Sequence, residues 1–558
     1  MSHGTYRAAA IVSLLLLTAC SLYAQEDPLV LNPYDGTAGS FFMSQIIADT
    51  TANHGIPANR VYVLKRGGIY LNTQTLNVPA GSTLKLRAEY GTGALPVIFM
   101  YPTGTGSTPQ RPPGNLFVLL GSALEMSNVM VDGYFEPVDT NFNNIQGGLV
   151  NTTQAGSSII LDSCIMTNIN GQFLRTGSAS IKVQVTHSIF SNMGALSTSN
   201  LGAGKGIDLR EVSCDTLLLQ DNTFINYQDR VVRHYNYSSP LSGTGSLVYT
   251  LIDHNTFVNG MGFHGLLSLG SVGDKVIITN NLFLDAFACG EDSLDPTRAA
   301  EFVNTGETYP NAQARMSWVF TTPNDSTSWV ISNNFFAISD SGQAYLSDFN
   351  LTEDTPLSWH INGMIGKDSL TAFKKVSVNM SAIPMLMTNE MRWYRAPSGG
   401  NMTKNTPSSL WQWPRDDMDR RGYTWIRDTL NCSFTASQDL SKAASDGTII
   451  GDPRWSFLGV VGVNDRPKEV PSGFYLDQNY PNPFNPSTTI RYGLSRESHI
   501  ELAVYNVLGQ RVALLVNTRM KPGNYEVAFD GARYASGVYF CVMHAGEKVM
   551  KEKILLLK

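Results

Sequence analysis

Among the residue types in this 558-residue sequence that could do chemistry, the basic side chains recur with the most regular spacing. Arg175 lies ten residues after an apolar residue, Ile165, and Arg233 and His234 lie nine and ten after Phe224. Arg210 follows Phe190 beyond an inserted stretch, in Gly206-Ile207-Asp208-Leu209-Arg210, with Lys205 close by. If Ile165, Phe190 and Phe224 occupy equivalent places, these cations form a column on three successive turns, bounded where later turns carry Leu267 and then Phe302 beside Glu301. The column is a candidate wall of a ligand groove, with Arg175, Lys205 and Asp208 as contact residues and Arg210, Arg233 and His234 placed for chemistry. The alternative is ion pairing with Asp208, Glu211 or Asp229 at a sheet edge, which contributes little. Two further sets stand apart. Asp132, Glu136 and Asp139 form an acidic loop whose oxygens suit calcium, or a solvated turn. His187, Asp221 and His254 fall at one position of a repeat and read as a hydrogen-bonded ladder. No Gly-rich phosphate loop, HExxH or G-x-S-x-G context is present.

The elements that must position these groups are visible as a repeat, which has to be sought before anything else. Two polar residues, a variable one and a large apolar one recur, often with Asn or Asp two further on. The pattern runs through Ser127-Asn128-Val129-Met130, Asp162-Ser163-Cys164-Ile165, His187-Ser188-Ile189-Phe190 and Asp221-Asn222-Thr223-Phe224. It continues through His254-Asn255-Thr256-Phe257, Asn280-Asn281-Leu282-Phe283 and Asn333-Asn334-Phe335-Phe336. Short β-type runs precede most anchors, among them Ser158-Ile159-Ile160-Leu161, Thr216-Leu217-Leu218-Leu219 and Val276-Ile277-Ile278-Thr279, with no helical period between them. Strands at this spacing predict a solenoid in which equivalent side chains stack about 4.8 Å apart. The column Asn128, Ser163, Ser188, Asn222, Asn255, Asn281 and Asn334 is then a ladder of side chains that both donate and accept. The column Met130, Ile165, Phe190, Phe224, Phe257, Phe283 and Phe336 is a core stack.

These two columns resemble the asparagine ladder and aromatic stack of right-handed parallel β-helices of the pectin-lyase-like superfamily, over roughly Val63 to Asp340. That resemblance implies a long lateral groove suited to a linear polymer. Polysaccharide lyases of this fold act on uronates: calcium or a cation neutralises the carboxylate, and an Arg or Lys draws the proton beside it. It therefore implies two readings of the Arg210/Arg233/His234 face, a lyase acting on an acidic polysaccharide or a non-catalytic glycan-binding adhesin. A purely structural surface protein fits the composition as well. Ile252-Asp253-His254 resembles a segment of pectate lyases, but the arginine-bearing motifs of that group have no counterpart here, which argues against pectate as substrate. The fold class expected is all-β, a right-handed parallel β-helix followed by a small immunoglobulin-like β-sandwich.

Composition agrees with an extracellular β-rich chain: only 15% of residues are charged and the net charge is −6, which excludes nucleic-acid binding by bulk electrostatics. Residues 1–24 read as a signal peptide, with Arg7 in the n-region and an apolar run from Ala8 to Leu17 too short to span a bilayer. Leu17-Thr18-Ala19-Cys20 also matches a lipobox, so lipidation at Cys20 stays open beside a cut after Ala24. No later segment reads as a membrane helix. Cys164, Cys214, Cys289, Cys432 and Cys541 are widely spaced and read as buried thiols. We divide the chain into an N-terminal segment and cap (25–62), the β-helix with irregular final coils and a cap (63–458), a linker (459–473) and a C-terminal module (474–558). Gly451-Asp452-Pro453-Arg454-Trp455 closes the irregular stretch that begins at Gly342 and is similar to segments that end lyase-like β-helix domains. In the last module, Asn479-Tyr480-Pro481-Asn482-Pro483-Phe484-Asn485-Pro486, Leu502-Ala503-Val504-Tyr505-Asn506-Val507-Leu508-Gly509-Gln510 and Ala535-Ser536-Gly537-Val538-Tyr539-Phe540 alternate strand and turn. This series resembles, motif by motif, the type A sorting domain of type IX secretion cargo. The resemblance implies recognition by the secretion machinery, then release or attachment at the outer surface.

Overall fold

The computed structural model describes residues 26–102, 114–133, 147–194, 204–234, 246–322, 324–353, 356–382, 388–403, 430–460, 473–479, 482–520, 522–546 and 548–557. Two compact units divide at Val460 and Val461. The signal-peptide reading of residues 1–24, and most of the linker, lie outside the described residues.

In the first unit the chain winds through three sheets in turn. One coil runs through Ser157–Asp162 in sheet A, Ile165–Ile169 in sheet B and Gln172–Thr176 in sheet C, then returns to sheet A at Ser180–Thr186. Sheets A and B each hold ten strands and sheet C eight, and every pairing within them is parallel. This is a parallel β-helix. Strands of sheet A alternate buried and half-exposed residues, so their inner members Val183, Leu217 and Val276 enter one continuous core.

The stacking that the repeat predicts is present. Phe190 and Phe224 lie 5.3 Å apart, Phe224 and Phe257 5.3 Å, and Phe257 and Phe283 4.7 Å. The ladder runs through Asn222, Asn255, Asn281 and Asn334, each Nδ2 donating to the next Oδ1 at 2.8–3.0 Å. The first two turns correct the sequence reading by one place. Phe190 pairs with Met166, and Met166 with Val131, so Ile165 and Met130 are not in the stack. Asn128 and Ser163 instead take left-handed φ values of 58° and 54°, in the column occupied further on by His187, Asp221 and His254. Val129 and Cys164 fill the ladder position, so the hydrogen-bonded run begins at Ser188, whose N–H donates to Asn222 Oδ1.

A second ladder lies inside sheet B. Asn168, Asn192, Asn226 and Asn259 all have φ between 52° and 59°, a conformation that Asn tolerates better than most residues. Asn192 donates to Asn168, Asn226 to Asn192, and Asn259 to Asn226. The next rung carries Asp285, also left-handed, whose carboxylate accepts the Ser339 N–H. Burial pushes its pKa up to about 6. An acid whose native pKa is raised favours folding below its unfolded pKa and loses that contribution as pH climbs through the native value. Asp285→Asn is therefore expected to stabilise the protein by roughly 1–3 kcal/mol at pH 7 and by almost nothing at pH 4. Urea titrations of both proteins at the two pH values check this; an equal difference at both would show that ionisation is not the cause.

Helix Phe42–Ala52 caps the first coils, sending Phe42, Met43 and Ile46 into the core. At the other end Phe373–Lys375 adds a last strand to sheet B, and Leu357, Ile361 and Ala372 close the core. The Gly451–Trp455 segment, close to the end of this unit in sequence, packs on the side of the coil. Val378–Ala382, Asn431–Ala436 and Phe457–Val460 form a small sheet against the outer surface of sheet B, where Cys432, Phe434 and Ile450 pack on Ile225, Val258 and Leu282. Asp452 accepts from Thr223 Oγ1 at 2.7 Å and Trp455 Nε1 donates to the same hydroxyl at 2.8 Å. Strands Thr223–Tyr227 and Thr256–Gly260 are accordingly buried at every residue. Sheet B is thus occupied on its outer side; in sheet C the strands Lys205–Asp208, Val232–Arg233, Leu267–Gly270 and Val319–Thr321 are also buried at every residue, and exposure is kept at Arg175 and at the Arg210 corner.

The second unit is a sandwich of two antiparallel sheets, one built on Ser487–Leu494 and Gly523–Asp530, the other on Ser498–Asn506, Gly537–Ala545 and their neighbours. Its core includes Ile490, Leu502, Val504, Phe529, Cys541 and Ile554. The five described cysteines are all buried and free. No described helix is long and apolar enough to cross a membrane.

Candidate ligand-binding face

Sheet C carries the basic residues singled out in the sequence. Its inward column is apolar: Val150, Leu174, Ile207, Val232 and Leu267 pair rung to rung. One residue further on, pointing outward by strand alternation, come Asn151, Arg175, Asp208, Arg233 and Ser268. The proposed basic column therefore needs correcting. Asp208, not Arg210, occupies the rung between Arg175 and Arg233. Arg210 lies two residues on, at the corner leading to sheet A.

That corner is a tight turn in which Val212 N–H meets Leu209 C=O at 3.0 Å. Both central residues are left-handed, Arg210 at φ 51° and Glu211 at 61°. Neither is glycine or asparagine, so the backbone stores strain of order 1 kcal/mol or more per residue. The result is that Arg210 stands exposed while Glu211 is buried. Burial lowers the pKa of Arg210 below its ordinary value, and the charges of Arg175 and Arg233 lower it further. Three guanidinium groups thus share one patch.

The acids of this region are buried. Arg233 Nη1 binds both oxygens of the fully buried Asp208, at 2.9 and 3.2 Å. Lys205 is also buried, with Nζ 2.9 Å from Asp229. Among the described residues neither Arg175 nor Arg210 has an acidic partner within 4 Å. Two more polar atoms here, Asn151 Oδ1 and Arg233 Nε, are shielded and have no hydrogen-bond partner among the described residues. Such atoms are rare in native interiors and call for a ligand or water.

His234 has a different setting from the one its position in the sequence implies. It is fully buried, with Nδ1 2.9 Å from Leu269 O and Nε2 3.0 Å from Val212 O. Burial holds its pKa down to about 4. With both ring nitrogens against carbonyls, it braces the corner that carries Arg210 and offers no open nitrogen to a substrate.

Sequence reasoning missed a buried charge cluster flanking the face. Asp229 accepts from His264 Nδ1 at 2.7 Å, and Glu301 lies 3.4 Å from His264 Nε2 and 3.6 Å from Arg230. Burial brings the His264 pKa down to about 4, against the pull of both carboxylates. Asp229 ionises well below the usual range: burial alone would raise it, but His264, Lys205 and Arg230 outweigh that. The cluster fixes the corner where sheet B turns into sheet C.

The acidic loop divides. Asp132 is buried and accepts from Asn168 Nδ2 at 2.9 Å, which places it at the start of the second ladder; Glu136 and Asp139 lie outside the described residues. Among the described residues no group of three His, Cys, Asp or Glu side chains could hold a metal ion. The His187, Asp221 and His254 column does form contacts. His187 bridges Asp162 at 2.8 Å and Asp221 at 3.3 Å, while His254 joins Asp253 at 2.9 Å and Thr448 Oγ1 at 3.0 Å.

Fold and face together define a parallel β-helix protein with a polar strip on sheet C, followed by a separate antiparallel sandwich. Residues 478–557, the body of that sandwich, match the family described as the secretion system C-terminal sorting domain. The second unit is a type IX secretion sorting domain, and the chain is cargo of that system, exported to the cell surface or released from it. Among curated proteins none matches the chain in sequence.

Proposed function

We propose that the β-helix binds an acidic polysaccharide along the outer side of sheet C. A signal peptide over residues 1–24 would supply the entry to the periplasm that such cargo needs. The observation that carries the reading is the sorting of charge by depth: Arg210 is exposed and Arg175 half-buried, neither with an acidic partner among the described residues, while Asp208, Glu211 and Asp229 are buried. Guanidinium groups recognise carboxylates and sulfates through paired hydrogen bonds. Binding is favoured over catalysis because Arg233 is closed on Asp208 and His234 is enclosed by carbonyls. A lyase is the second reading on one observation, the gathering of Arg210, Arg175 and Arg233 in one patch, where burial and the two neighbouring cations lower the Arg210 pKa.

The full chain is expected to be retained by acidic polysaccharides and not by neutral ones. Replacing both Arg175 and Arg210 by Ala is expected to weaken retention roughly 10- to 100-fold, the worth of one or two charge-assisted hydrogen bonds. Affinity electrophoresis measures it, and absorbance of unsaturated products in the same incubations decides the lyase reading. Equal retention of wild type and double variant would remove sheet C from consideration.

A further inference from the structure

We propose that Lys205 and Asp229 condense to an isopeptide bond, a covalent link between consecutive coils at the corner where sheet B turns into sheet C.

An amine and a carboxyl join when they are held in contact, water is kept out and charge developing on the carbonyl oxygen is supported. This corner meets all three conditions. Lys205 opens the strand Lys205–Asp208, and Asp229 lies in the next coil between Thr223–Tyr227 and Val232–Arg233. Backbone hydrogen bonds pin the two segments together: Gly206 N–H donates to Arg230 O at 3.2 Å and Ile207 N–H to Val231 O at 2.8 Å. Lys205 Nζ is thereby brought to 2.9 Å from Asp229 Oδ2. Close as it is, the contact lacks hydrogen-bond alignment, since Oδ2 accepts no hydrogen bond from the described residues. Asp229 is fully buried and Lys205 is buried with it. The other oxygen is held firmly. Oδ1 accepts twice from His264, from the ring Nδ1 at 2.7 Å and from the backbone N–H at 3.2 Å. Beyond the ring, Glu301 Oε1 lies 3.4 Å from Nε2, where a carboxylate supports the protonated imidazole.

At rest the pair is ionic, because His264, Lys205 and Arg230 outweigh the burial that would raise the Asp229 pKa. Burial also lowers the pKa of Lys205. One proton passing from Nζ to Oδ2 leaves a neutral amine beside a neutral acid, with the net charge unchanged. The Nζ lone pair then attacks Cγ, and the carbonyl π electrons move to Oδ1, between the two His264 donors. As they return, the Cγ–Oδ2 bond breaks, and Oδ2 takes a second proton from Nζ and departs as water. One C–N bond forms, one C–O bond breaks, and no oxidant enters. The product closes residues 205–229 into a ring about one coil around. It constrains the unfolded chain as a disulfide would, in a protein whose five described cysteines are all free.

Peptide mapping of the full chain by mass spectrometry tests the bond, with the folded protein denatured before digestion by trypsin. Trypsin cuts after unmodified lysines and arginines, so an unlinked chain yields residues 183–205, 206–210 and 211–230 as separate peptides. Wild type is expected to give instead one branched species, residues 183–210 joined to 211–230 and lighter than their sum by one water. Lys205→Arg is expected to return the three linear peptides. Glu301 acts through His264, so Glu301→Gln is expected to slow the appearance of the branched species in newly made chain at least about tenfold. Glu301→Asp, which keeps the charge, is expected to restore most of the rate. Equal rates for wild type and Glu301→Gln would overturn the part given to Glu301. The wild-type map needs no variant: recovery of all three linear peptides, with no branched species, overturns the inference outright.

Discussion

Replacing Asn255 by Ala is expected to cost about 3–5 kcal/mol, because one side chain completes the hydrogen bonding of several buried groups on three rungs. Asn255 Nδ2 donates to Leu219 O at 2.9 Å and to Asn281 Oδ1 at 3.0 Å. Its Oδ1 accepts from Asn222 N at 3.1 Å and Asn222 Nδ2 at 2.9 Å. The methyl of Ala leaves the Asn222 N–H and the Leu219 carbonyl buried and unpaired, and each such group costs about 1–3 kcal/mol. The cavity is too enclosed for bulk water, since Asn222, Asn255 and Asn281 are all fully buried. In a solenoid the stability of each coil depends on its neighbours, so the loss is felt as weakened coupling between the coils below and above Asn255. Equilibrium denaturation of the full chain measures the cost. Asn255→Ser should lose less, because at Ser188 a hydroxyl already serves the same column: Ser188 Oγ accepts the Cys164 N–H at 3.1 Å. A loss below about 1 kcal/mol for the Ala variant would mean that the ladder merely accompanies the fold.

How far the molecule could be read from its sequence depended on whether its signals were local. The Phe-x-Asn recurrence at Phe190-Ser191-Asn192, Phe224-Ile225-Asn226 and Phe257-Val258-Asn259 encodes stacking between rungs that repeat the same local conformation, and it announced the β-helix. The same recurrence contained the second ladder, but nothing in residue identity shows that Asn192 and Asn226 turn left-handed within a strand. The alignment slipped at Val129 and Cys164, where an apolar residue and a thiol replace the ladder amide and leave polar neighbours to be mistaken for it. Arg210 was misplaced for another reason. Beyond the inserted stretch that follows Phe190 no count from the anchor reaches it, so local context alone placed it, and the backbone pairing of Arg175 with Asp208 fixes the true register. Asp229, His264 and Glu301 come from three successive passes of the chain, so no spacing within one segment could assemble them. The Gly451–Trp455 segment packs against the outside of sheet B and shares no repeat with it, which is why it read as an end. The sorting domain was the opposite case, a run of turn and strand motifs dense enough to identify from one stretch.

Gly260→Ala is expected to cost about 3 kcal/mol or more, through one contact that the fold cannot relax. Gly260 pairs across the rung with Tyr227, and a Cβ at Gly260 would fall within the van der Waals envelope of Tyr227 Cε2 and Cζ. The backbone at Gly260 does not take a left-handed φ, so alanine suffers no conformational penalty there and the collision is the whole effect. The tyrosine ring has nowhere to go. It is fully buried, and its hydroxyl crosses over Gly260 to donate to Ala286 O at 2.8 Å in the coil beyond. Moving the ring far enough to admit a methyl group breaks that hydrogen bond and pushes on the Asn226 and Asn259 amides beside it, so overpacking and an unsatisfied hydroxyl add together. A double-mutant cycle separates this account from a general intolerance of the site. In a Tyr227→Leu background, where neither the ring nor the hydroxyl is present, Gly260→Ala is expected to cost less than about 1 kcal/mol, giving a coupling of at least about 2 kcal/mol between the two positions. Additive costs would place the origin of the glycine requirement elsewhere than in the path of Tyr227.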